Sequence, residues 1–69
     1  MPNMIRLKAR TLTSKKAFRE IVAAYPKAKK ATKKYVPGVG YALYIKDAAG
    51  NTIAHLTKDI KGLVLNGAG

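Results

Sequence analysis

From Met4 to Thr11 apolar and basic residues alternate, with Ile5, Leu7 and Ala9 on one side of a period-two pattern and Arg6, Lys8 and Arg10 on the other. The alternation predicts a half-buried strand with a cationic outer face. The period then changes. Phe18, Ile21, Val22 and Tyr25 stand at i, i+3, i+4 and i+7, the buried stripe of a helix that begins at Lys15 behind Thr13 or Ser14 as its cap. Pro26 ends that helix, because it has no N–H to donate and pushes Tyr25 out of the helical region.

Lys27 to Lys34 reads Lys-Ala-Lys-Lys-Ala-Thr-Lys-Lys and has no clear period. Like charges at Lys29/Lys33 and Lys30/Lys34 oppose a helix there by a few tenths of a kcal/mol per pair. The expectation is therefore a basic connector, either a frayed helix or an ordered loop that tightens on an anion. Val36-Pro37-Gly38-Val39-Gly40 is a turn. Tyr41 to Lys46 and Thr52 to Thr57 are β-favouring runs joined by Asp47 to Asn51, a hairpin with Gly50 or Asn51 suited to a positive φ. In its first arm Tyr41, Leu43 and Ile45 share one face, predicted to be core, and Ala42, Tyr44 and Lys46 share the other. Ile60, Leu63 and Val64 suit a short final helix, whereas Leu63 to Leu65 suits a strand; residues 66–69 are expected to form a loose tail.

These elements predict one α+β domain over residues 1–69: strand, helix, basic connector, β-hairpin and a short final element, with the helix packed on an antiparallel sheet of three or four strands. At 69 residues the core is small, and stability on the order of 3–5 kcal/mol is expected. That size and the charge below allow a homodimer.

Charge narrows the function. The chain carries a net +11, and the first 45 residues hold eleven of its fourteen bases against a single acid, Glu20. A local field of that sign attracts polyanions, so nucleic acid, DNA or RNA, is the first partner expected and an acidic protein surface the second. Lysine outnumbers arginine eleven to three, which favours phosphate over a specific protein interface. The binding residues expected are Lys27, Lys29, Lys30, Lys33 and Lys34 in the connector and the strip of Arg6, Lys8 and Arg10. Tyr44 joins them as a ring placed beside Lys46 to stack on a base, while Phe18, Tyr25 and Tyr41 are assigned to the core.

Other chemistries are not expected. There is no Cys, so disulfides, thiolate metal sites and cysteine nucleophiles are excluded, and a reducing cytoplasm fits. His55 is the one histidine and has no sequence neighbours with which to ligate a metal. Glu20, Asp47 and Asp59 are scattered, and Ser14 is accounted for as a cap, so neither catalysis nor a cofactor is expected. Gly38-Val39-Gly40 leads into a strand rather than a helix and lacks the third glycine of a dinucleotide loop. The longest apolar runs are five residues, too short for a membrane span.

Overall fold

The computed structural model describes residues 4–67. Strand β1 (Met4–Arg6) is followed by helix α1 (Lys15–Ala24) and a meander of β2 (Lys30–Val36), β3 (Gly40–Lys46), β4 (Thr52–Asp59) and β5 (Gly62–Gly67). All pairings are antiparallel and the sheet order is β1-β5-β4-β3-β2, so the first strand closes against the last and β2 is left at the far edge. The architecture is α+β, with α1 on one face of a five-stranded sheet rather than one of three or four. Among the described residues no helix is long and apolar enough to cross a membrane.

Local chemistry sets the boundaries. Ser14 caps α1, its Oγ accepting the Ala17 N–H at 3.0 Å, and Tyr25 leaves the helix at φ −129° ahead of Pro26. Between β2 and β3, Pro37 and Gly38 occupy the central positions of a type II turn; Val39 N–H donates to the Val36 carbonyl at 3.0 Å, and Gly38 takes the φ of +84° that the third position demands. In the β3–β4 hairpin Asp47 Oδ1 accepts the N–H groups of Ala49 and Asn51, both at 2.9 Å, which fixes the five-residue loop.

The core lies between α1 and the middle of the sheet. Ala17 and Ile21 meet Ile45, Ala54, Leu56, Leu63 and Leu65, all fully buried, with Leu7, Ala9, Ala28 and Leu43 around them. Phe18, Val22 and Tyr25 are only half-buried. Ile21 is innermost as predicted, with Val22 and Tyr25 packed against the core, but one turn earlier Ala17 rather than Phe18 is buried. Glu20 fixes this orientation: its carboxylate accepts the Lys8 N–H at 2.7 Å and the Ala9 N–H at 2.8 Å, drawing that side of α1 against the β1–α1 link. The same clamp ends β1 at Arg6, since Lys8 and Ala9 donate to Glu20 instead of extending a ladder beyond the Leu7 N–H bond to Leu63.

Two predicted elements differ. The basic connector is strand β2, preceded by a short loop whose Lys29 N–H already donates to the Lys46 carbonyl at 2.9 Å. A strand places neighbouring lysines on opposite faces and lets an exposed edge hydrate them, whereas a helix would stack them at i, i+4. The ambiguous final stretch is β5, where Leu63 and Leu65 enter the core. Asn66 and Gly67, assigned to the tail, are its last residues and pair with His55 and Ala54; residues 68–69 lie outside the described residues.

Ile21→Ala should cost about 2–5 kcal/mol, most of the stability available to a domain this small, and Phe18→Ala distinctly less. Urea denaturation of both variants measures this. A larger loss at Phe18 than at Ile21 would contradict the observed helix orientation.

Candidate nucleic-acid interface

Each of the three carboxylates is engaged in the fold. Glu20 holds the β1–α1 link and Asp47 the hairpin loop. Asp59 takes Arg6 in a two-pronged pair at 2.8 and 2.9 Å and also accepts the N–H groups of Lys61 and Gly62 in the β4–β5 turn. The Arg6 guanidinium, and then the turn's N–H groups, hold the Asp59 carboxyl at about 2; Arg6 is raised in return. Donation from Lys8 lowers Glu20, with further lowering from Ala9 and from the charges of Lys16 and Lys8. The Asn51 N–H lowers Asp47. Among the described residues Arg6–Asp59 is the one ion pair, so the remaining bases carry a field that no carboxylate neutralises at contact distance.

Those bases gather along the β2 edge. Lys33 lies on the helix side of the sheet, opposite Leu43, while Lys30 and Lys34 lie on the other side, opposite Lys46 and Ala42. On the helix side a groove of about 570 Å³ opens between the start of α1 and β2–β3. Leu12, Phe18 and Ala31 line it over the buried Ile21 and Leu43, together with Thr13 and Ser14. Lys15 and Arg19, one helical turn apart on α1, line it from the helix and Lys29 and Lys33 from the β2 side, with Lys30 at its border, and no acid lines it. Lys15 and Lys16 in the first turn of α1 add to the positive end of the helix dipole instead of opposing it.

Next to the groove, Lys33 Nζ is 4.5 Å from the centroid of the Tyr41 ring, and Tyr35 meets Tyr41 edge-on at 5.3 Å. Tyr35 and Tyr41 are 63% and 54% exposed. Tyr41 was expected in the core; it does share the Leu43/Ile45 face, but α1 does not extend over it. Tyr44 lies on the opposite, uncovered face in the cross-sheet row Thr32, Tyr44, His55, Asn66, Met4. Its ring meets His55 edge-on at 4.7 Å, with Lys34 Nζ 5.2 Å from its centroid, and is half-buried. The exposed rings are therefore Tyr35 and Tyr41 rather than Tyr44.

The two predicted basic strips lie at opposite edges of the sheet, β1 and β2. Arg6 is paired with Asp59. Lys8 and Arg10 lie beyond the strand and line a depression with Lys58 and Asp59 of β4 and Lys61 of the β4–β5 turn. Lys27 lies beside Lys29 near the Asp47–Ala49 loop. Lys29 and Lys33 come together at the groove; Lys30 borders it from a position that shares its face with Lys34 and Tyr44, which face away. Sequence reasoning missed Lys15 and Arg19, whose i, i+4 spacing next to Phe18 was the available signal. No protein-family model, curated protein or solved structure matches the chain.

Asp59 has a folded pKa of about 2 against an ordinary 3.8, so its ionised form adds stability above about pH 4 that is lost as pH falls towards 2. Asp59→Asn should flatten the fall of the thermal midpoint across that interval, with the salt-screened Arg6 pair making the difference modest. Equal slopes in the two proteins would show that Asp59 does not carry the acid sensitivity.

Proposed function

We propose that the protein is a non-enzymatic nucleic-acid-binding protein that grips phosphates along the β2 edge and reads base edges little, if at all. The observation that supports this reading most is the pairing pattern: three carboxylates held in structural roles and, of fourteen bases, one ion-paired among the described residues. Lys15, Arg19, Lys29, Lys30 and Lys33 form the centre of the interface, flanked by Lys27 and Lys34. Arg6 does not join it, and Lys8 and Arg10 with Lys58 and Lys61 offer a second, separate contact for a long polyanion. Phosphate contacts need charge and reach but no base-specific geometry, which is what lysines on an edge strand supply. No Asn, Gln or Arg array stands on an exposed helix to enter a major groove.

A second reading rests on a different feature. Val39, Tyr41 and Ile60 are exposed and, with Leu12, line an apolar hollow at the end of the sheet beside the groove. A patch of that kind suits an acidic protein partner, on which this chain acts as an inhibitor or modulator. The lysine excess and the acid-free groove favour phosphate.

If about six phosphates are neutralised, affinity for DNA should fall roughly 10³-fold between 50 and 200 mM salt. Replacing Lys29, Lys30, Lys33 and Lys34 together with Gln should reduce the slope of log K against log salt by about 3–4 and leave the circular dichroism spectrum unchanged. A flat salt response, or no binding at the lowest salt, would overturn the proposal.

A further inference from the structure

We propose that the groove between α1 and β2–β3 takes an unstacked base of a single strand, so that the protein prefers single-stranded nucleic acid to duplex. This rests on the nucleic-acid reading above and adds what part of the polymer enters the groove. Its apolar lining is Leu12, Phe18 and Ala31 over the buried Ile21 and Leu43, with Thr13 and Ser14 beside them, and cations line it from both α1 and the β2 side. A nucleotide entering base-first has one phosphate on each side of it, and each meets a wall: Lys15 and Arg19 on α1, Lys29 and Lys33 on the β2 side. A duplex cannot enter this way, because its bases are paired and stacked behind the phosphates and only its backbone reaches the rim.

The aromatic groups agree with that occupant. Phe18 lines the groove and is half-buried, and Lys33, which also lines it, lies over the exposed Tyr41, which Tyr35 meets edge-on. Base-on-ring stacking tolerates any sequence because every base has a π-face; the hydroxyl-bearing Thr13 and Ser14 also line the groove. Lys33, poised over Tyr41, lies where a backbone phosphate and a stacked base would both be within reach. The volume, about 570 Å³, is within the range of compact ligand sites, roughly 300–1,000 Å³.

The test compares three labelled ligands of equal length by fluorescence anisotropy at low salt: oligothymidine, an abasic phosphodiester strand and a DNA duplex. The wild-type protein should bind oligothymidine about tenfold or more tightly than the abasic strand. Phe18→Leu, which keeps an apolar side chain in place, should bring oligothymidine down towards the abasic strand and leave the abasic strand unchanged. Without any variant, 2-aminopurine set in the middle of a strand should change its emission on binding, reporting an unstacked base. Equal affinity for all three ligands, or unchanged 2-aminopurine emission, would overturn the base-in-groove proposal while leaving the phosphate grip intact. Failure of all three to bind would overturn the nucleic-acid reading itself. Displacement of bound oligothymidine by an acidic, leucine-containing peptide at lower concentration than unlabelled oligothymidine would assign the groove to a protein partner and overturn the proposal.

Discussion

One helix cannot cover a five-stranded sheet. Five strands at about 4.8 Å spacing place the outer strands roughly 19 Å apart, and a helix with its side chains is about 10 Å wide. Helix α1, ten residues long, lies over the β3–β5 centre, where Ile21 and Ala17 meet Ile45, Leu56, Leu63 and Leu65. The remainder of that face, on β2 and the start of β3, is left without a cover. The groove, its apolar lining and the exposed Tyr35 and Tyr41 all follow from this mismatch of widths. Lys33 stands on that strip and Lys30 and Lys34 on the other face of the same edge strand, so the β2 edge stays hydrated and is protected from edge-to-edge pairing by its own charge.

The positive field is sharpened by the work given to the acids. In a basic protein carboxylates usually lessen self-repulsion wherever they stand; here Glu20, Asp47 and Asp59 are each held by backbone N–H groups at a link, a loop and a turn. Their charge stabilises three connections and does little for the lysines of β2. Repulsion along that edge is therefore relieved only by hydration, by salt or by a bound anion. A partner that supplies the anion would stabilise the fold as it binds.

What could be read from the sequence were the elements whose signal is local. The burial of Leu7 and Ala9, the Ser14 cap, the stop at Pro26, the Pro37–Gly38 turn and the Asp47–Asn51 loop each depend on a few adjacent residues, whereas the strand expected over Met4–Thr11 stops at Arg6 and leaves Ile5 exposed. Strand β2 was not legible, because Lys27 to Lys34 has neither helical nor strand periodicity and its strand state comes from pairing with β3. Of the helix stripe, Ile21, Val22 and Tyr25 met the core as expected, but Ala17 took the place given to Phe18, and the Glu20 clamp on that side of α1 joins residues 11 and 12 positions apart. Likewise, alternation gave Tyr41 and Leu43 the same face correctly, but how far along that face the helix reaches is a tertiary fact. For the candidate site, charge pointed to Lys29, Lys30 and Lys33, while the convergence of Lys15 and Arg19 on the same groove needed the fold.

The central claim is that the strip α1 leaves uncovered is the surface that meets the polyanion. Amide chemical-shift mapping of the isotope-labelled protein during titration with a short single-stranded oligonucleotide tests this directly. Shifts should concentrate in Leu12 to Arg19, Lys29 to Tyr35 and Tyr41 to Leu43, with β5 and the row through His55 and Asn66 nearly silent. Shifts centred instead on Tyr44, His55 and Asn66, or spread evenly over every lysine-bearing segment, would contradict the account.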